Sequence, residues 1–231
     1  MAEHGDRARV LAGGTDLLVQ LRGGRRSADI IVDSKFIPEL NELSYDAQTG
    51  LTIGAAVPCC NIYEDKAVEA NYPGLTDCAS LIGSIQIQGR ASIGGNLCNA
   101  APSADSIPSI IALGGVANIT GPNGSRQVPA EDFCTAPGRN VLEPGELLVS
   151  INLPVPQAHS GANYLRFIPR NEMDIAVAGV GSSVILDGSG QNFVSGRVAL
   201  ASVAPTPVFS KAAGESLAGK PVSEATINEA A

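Results

Sequence analysis

Val10-Leu11-Ala12-Gly13-Gly14-Thr15-Asp16-Leu17-Leu18 begins as an apolar run, breaks at a glycine pair and resumes with leucines at helical spacing. That order predicts a strand, a tight turn and a helix start. A second glycine pair lies in Ala91-Ser92-Ile93-Gly94-Gly95-Asn96-Leu97. Glycine has no Cβ penalty at positive φ, so successive backbone N–H groups at such a pair can converge on an anion. Thr15 and Ser92 add a hydroxyl beside each pair, and Asn96 adds an amide. A helix N-terminus after Thr15 also favours negative charge. Two such loops suit the two phosphates of one dinucleotide. Taken alone, the same pairs serve equally well as plain tight turns. Neither is a Gly-x-Gly-x-x-Gly fingerprint or a phosphate loop ending in Gly-Lys-Ser/Thr, which removes Rossmann and nucleoside-triphosphatase readings.

Outward from these loops the chain reads as α+β. Asp29–Asp33 brackets a buried strand, and Glu42–Tyr45 and Leu51–Ala55 form a meander. One helix is expected from Pro58 to Ala70, and another from Leu75 to Ile82, closed by Gly83. Ser103 caps an expected helix to Leu113, and Gly121-Pro122-Asn123-Gly124 turns a hairpin between Val116–Thr120 and Arg126–Val128. Leu147–Leu153 is a strand, residues 154–161 a linker, and Ala176–Leu186 and Arg197–Ala204 further strands. Met1–Gly5 resembles the last turn of a helix and Ser223 the cap of a new one, so the chain is expected to be a fragment of a longer unit.

Composition narrows the function. The 231 residues carry a net charge of −8, with no basic run of the kind that binds nucleic acid. Arg22, Arg25 and Arg26 are the one basic cluster and read as a solvated loop. No apolar stretch is long enough for a membrane helix. Five cysteines without a Cys-x-x-Cys pair suit reduced thiols in the cytoplasm, with no metal site in this chain. Two histidines and no Gly-x-Ser-x-Gly elbow leave hydrolytic chemistry without residues to perform it. Asp105, beyond the second glycine pair, suits either a hydroxyl-accepting ligand contact or a favourable charge in a helix's first turn.

Four blocks in order decide between these readings: Ala12–Leu18, Ser92–Asp105, Pro137–Leu148 and Tyr164–Ala176. Together they resemble the FAD-binding subunits or domains of the molybdenum hydroxylases, such as the medium subunit of aerobic carbon monoxide dehydrogenase and the flavin subunit of xanthine dehydrogenase. The resemblance implies a two-subdomain FAD-binding fold of the vanillyl-alcohol-oxidase-like type over 1–154, lacking an opening strand and helix. A partial C-terminal α+β domain follows over 162–231. It also implies that Val10, Leu11, Ala12, Gly13, Gly14, Thr15, Asp16 and Leu17 with Ser92, Ile93, Gly94, Gly95 and Asn96 surround the FAD diphosphate. A side chain at Gly13 or Gly94 would then occlude the diphosphate path. By the same resemblance Asp105 meets ribose or ribityl hydroxyls, Leu148 the adenine side, Arg166 the flavin ring, and Ile82 packs near the isoalloxazine. Gln88-Gly89 departs from the Arg-Asn common in relatives.

The implied function is electron transfer through FAD, from [2Fe–2S] clusters of a small subunit to an external acceptor. Substrate hydroxylation would take place on a molybdopterin large subunit, in a heterotrimer that itself dimerises, and this chain would supply no acid–base residue. The alternatives are a stand-alone flavin oxidase or dehydrogenase, and a structural subunit that has lost its flavin.

Overall fold

The computed structural model describes residues 1–170 and 173–231, so Asn171 and Glu172 of the fourth block lie outside the described residues. β1 (Ala8–Leu11) and β2 (Ile30–Asp33) pair in parallel, with α1 (Leu17–Arg22) in the crossover. β3 (Leu43–Asp46) and β4 (Gly50–Gly54) then start a second sheet. The chain leaves it for α2 (Cys59–Glu64), α3 (Lys66–Asn71), α4 (Pro73–Leu81), α5 (Ile85–Gln88), α6 (Ile93–Asn99) and α7 (Ser106–Ala112). It returns as the hairpin β5 (Val116–Gly121) and β6 (Gly124–Pro129), the short pair β7 (Cys134–Ala136) and β8 (Arg139–Asn140), and β9 (Leu147–Leu153).

β9 slots between β4 and β5, giving an antiparallel sheet in the order β3-β4-β9-β5-β6. Ile53 and Ala117 both pair with Ile151 across it. These residues are fully buried and face the helical layer, where Ile62, Leu75, Ile107 and Ile110 complete a core of aliphatic side chains. A last antiparallel sheet, β10 (Ser160–Phe167), β11 (Ala178–Leu186), β12 (Phe193–Ala201) and β13 (Val208–Phe209), carries α8 (Lys211–Leu217) and α9 (Glu224–Ala230).

Every residue of α7 is buried, because it lies between the helical layer and this last sheet. A Cβ on Gly181 would stand 2.5 Å from the Pro108 carbonyl oxygen, so the helix rests directly on β11 backbone. Ser183 Oγ and the Arg197 guanidinium donate to the Ala112 and Ile111 carbonyls, tying the end of α7 to the last sheet.

Several elements differ from the sequence expectation for identifiable reasons. The helix expected over Pro58–Ala70 breaks at Asp65, which is extended and whose carboxylate accepts from the Ala67 and Val68 amides as a fresh N-cap. Ser103 does not cap α7. That helix starts at Ser106, where Asn96 Oδ1 accepts from both the Ser106 amide and its hydroxyl. The proposed linker ends earlier than expected, since Ser160 and Gly161 already pair with Ile185 and Val184.

The largest difference concerns the second glycine pair. Gly94 and Gly95 form no positive-φ turn; Ser92 caps them into the first turn of α6, its Oγ accepting from the Gly95 amide. Of the four glycines only Gly14 has a left-handed backbone, at φ 78°.

Candidate flavin site

The two glycine-paired segments meet. A Cβ on Gly13 would lie 2.0 Å from the Arg90 carbonyl oxygen and 3.0 Å from Ala91 Cα, so the first loop crosses the chain just before α6 at backbone distance. Gly94 is equally constrained, its would-be Cβ 2.4 Å from the Ala55 carbonyl oxygen. Both glycines therefore exist to let backbones touch, and their Cβ positions point at protein. The expected occlusion of the diphosphate path by a side chain there is corrected accordingly.

Beside this crossing opens a cleft of about 260 Å³. Val10, Ala12, Gly13, Gly14, Thr15, Asp16 and Leu17 line one wall, and Ser92, Gly94, Gly95 and Asn96 line the other. Among the described residues, the amides of Gly13, Gly14, Thr15 and Asp16 on one side, and of Gly94 on the other, meet no backbone or side-chain acceptor. Asn96 spends its oxygen on α7 and keeps its NH₂ group for the cleft. This donor set, unpaired amides and a hydroxyl on each wall, fits an anionic diphosphate. Asp16, on the rim, has its carboxyl pKa raised by desolvation, with Arg25 pulling the other way.

Family comparisons agree with this geometry. Residues 1–156 match the family described as FAD binding domain in molybdopterin dehydrogenase, and residues 163–231 match the CO dehydrogenase flavoprotein C-terminal domain. The chain belongs to this flavoprotein family. As an FAD-binding subunit of the molybdenum hydroxylases, it is part of an oxidoreductase. It is 34% identical over 221 residues to the xanthine dehydrogenase FAD-binding subunit of Escherichia coli O157:H7, covering 95% of this chain and 75% of that relative. The carbon monoxide dehydrogenase medium chain of Afipia carboxidovorans is 31% identical over 226 residues, covering 98% and 77%. Reconstituted CO dehydrogenase from Oligotropha carboxidovorans superimposes with a TM-score of 0.93 at 29% identity, over 99% of this chain and 79% of that one. The names of these relatives mark them as parts of multi-subunit enzymes.

Not every expected residue of this flavoprotein subunit borders the cleft. Leu148 and Ile82 do. Ile93 is instead fully buried in the core, and Leu11 packs against Gly14 while its carbonyl accepts from Ser34 Oγ. Asp105 and Arg166 pair with each other, Oδ2 to Nη1 at 3.1 Å, with side chains only 11% and 8% exposed. Tyr164 donates its hydroxyl to the other Asp105 oxygen at 2.8 Å. Burial raises the Asp105 pKa, opposed by the Tyr164 and Arg166 contacts. Gln88, the departure from the family pattern, is buried; its amide donates to the Ser80 and Ile82 carbonyls and its oxygen accepts from Tyr63.

Sequence reading missed several lining residues. Gln20 and Asn99 hydrogen-bond to each other across the cleft, and Ala55 and Ala56 form its floor as small residues. Their signal was spacing: Gln20 lies one helical turn after Asp16, and Asn99 one turn after Asn96. Arg26, from the cluster read as a solvated loop, is exposed and also lines the cleft. Among the described residues no helix is long and apolar enough to cross a membrane.

Glu146 lines the cleft as well. Arg126 donates to both of its oxygens at 2.7 Å and the Glu143 amide adds a third bond, holding its pKa down to about 2 from an ordinary 4.5. A depressed carboxylate contributes stability that is present above the unfolded pKa and lost as pH falls through the folded one. Acid unfolding followed by circular dichroism should therefore show a component between those two values that Arg126→Met removes. Superimposable acid profiles for the two proteins would refute the pairing's role.

Proposed function

We propose that this chain is the electron-transfer flavin subunit of a molybdenum hydroxylase complex and holds FAD by its diphosphate between the Ala12–Leu17 loop and the start of α6. The supporting observation is that amides without acceptors, Gly13 to Asp16 from one segment and Gly94 from the other, border a single cleft. Leu148 takes the adenine side and Ile82 the isoalloxazine side. Asp105, Tyr164 and Arg166 form the buried joint between the FAD-binding part, residues 1–154, and the C-terminal part, residues 162–231. The isoalloxazine supplies the redox chemistry; the chain supplies position, charge and exclusion of water. In this reading a [2Fe–2S] small subunit delivers electrons, a molybdopterin large subunit hydroxylates the substrate, and the heterotrimer dimerises. The setting is cytoplasmic.

The full chain, purified and incubated with FAD, is expected to retain one flavin per chain noncovalently, released by denaturation, and to oxidise substrate only when assembled with its partners. A preparation without the visible flavin band after that incubation would overturn this reading. Turnover of a small alcohol or amine by the chain alone would replace it with a self-sufficient flavoenzyme.

A further inference from the structure

We infer that Arg90 is the positioning residue that aims the first loop's amides into the cleft, an assignment resting on the flavin-site reading above. Arg90 Nε donates to the Gly13 carbonyl and Nη2 to the Ala12 carbonyl, each at 3.3 Å. In a planar trans peptide the C=O and N–H point in opposite directions. The Ala12 carbonyl shares its peptide with the Gly13 amide, and the Gly13 carbonyl shares its peptide with the Gly14 amide. Drawing both oxygens toward the guanidinium therefore turns both N–H groups away from it.

Gly13 and Gly14 line the cleft and Arg90 does not, so "away" is toward the cleft. Both amides are among those with no acceptor within the described residues. Arg90 is tied to this loop from both ends, since its own carbonyl oxygen fills the space a Gly13 Cβ would take. Among the described residues it makes no ion pair, so its planar fork is committed to two neighbouring carbonyls in a geometry a lysine cannot reproduce. The arrangement fixes two donors before any ligand arrives, which lowers the ordering cost of binding.

The test is calorimetric titration of the full chain with FAD and with ADP, which share the diphosphate. Arg90→Ala is expected to weaken both ligands by the same factor, about tenfold or more, because two preorganised donors are lost. Arg90→Lys keeps the charge but loses the fork, and is expected to weaken both several-fold. The ligand-free melting temperatures should stay near wild type, because this side chain is exposed. If Arg90→Ala does not fold, Arg90→Lys carries the same comparison. Wild-type affinity in either variant overturns the assignment, as does loss of FAD binding with ADP binding intact. A wild-type chain that takes up neither ligand overturns the functional reading itself, a result distinct from wild-type binding that the substitutions leave unchanged.

Discussion

Gly13→Ala is expected to abolish measurable FAD retention, lowering affinity by about a hundredfold, equivalent to about 2.7 kcal/mol. One methyl group suffices because its carbon would stand 2.0 Å from the Arg90 carbonyl oxygen and 2.7 Å from the carbonyl carbon. Backbone on both sides cannot rotate away as a side chain can, so the loop must lift off the segment that leads into α6. Lifting separates the two amide walls by the distance the clash demands, and the pair no longer meets one diphosphate. Overpacking of this kind also costs about 1–3 kcal/mol of stability, so Gly13→Val should be worse in both respects. Gly89→Ala is the control: it lies next to Arg90, its φ is −70°, and a Cβ there meets nothing within 4 Å. Flavin-to-protein absorbance ratios after desalting should separate the two variants cleanly. Equal ratios would mean that the crossing of the loops does not govern flavin binding.

Asp105→Ala is expected to destabilise the fold by about 3–5 kcal/mol, because it leaves the Arg166 guanidinium buried without its counter-charge and the Tyr164 hydroxyl without its acceptor. Denaturant unfolding of the full chain measures it. Burial pushes the Asp105 carboxyl up while Tyr164 and Arg166 pull it down, so desolvation opposes the pair. A well-packed apolar replacement of both charges should therefore recover much of the loss, and Asp105→Leu combined with Arg166→Met is expected to be far milder than either single change. The pair's value is geometric: Asp105 immediately precedes α7 at the edge of the FAD-binding part, and Tyr164 and Arg166 come from β10 of the C-terminal sheet. Breaking it loosens the seat of the last sheet on α7. A single-variant cost under about 1 kcal/mol would show that the neighbouring contacts, such as those of Ser183 and Arg197, hold that seat alone.

Much of this was legible in the residues. The apolar run and glycine break at Val10–Asp16 yielded a strand and a helix, the Pro122-Asn123 turn yielded its hairpin, and Ser223 capped α9 as its position predicted. These are local effects, set by side-chain periodicity, backbone freedom and hydrogen bonds a few residues apart. Both glycine pairs line the cleft, although local turn geometry accounts for only part of it. Positive φ explains Gly14 alone; Gly13 and Gly94 are glycine because distant backbone segments press on them, which no local pattern records.

Local periodicity and composition set the order of elements, the acidic charge and the family blocks. Which partners the polar residues chose depends on the folded arrangement. Asp105 and Asn96 look alike as free polar groups in a string of letters. In the fold one is spent on Tyr164 and Arg166, and the other caps α7 with its oxygen while its NH₂ group stays free for the cleft. A hydrogen bond needs two groups within about 3 Å, and chain distance carries no information about that separation when the partners lie tens of residues apart.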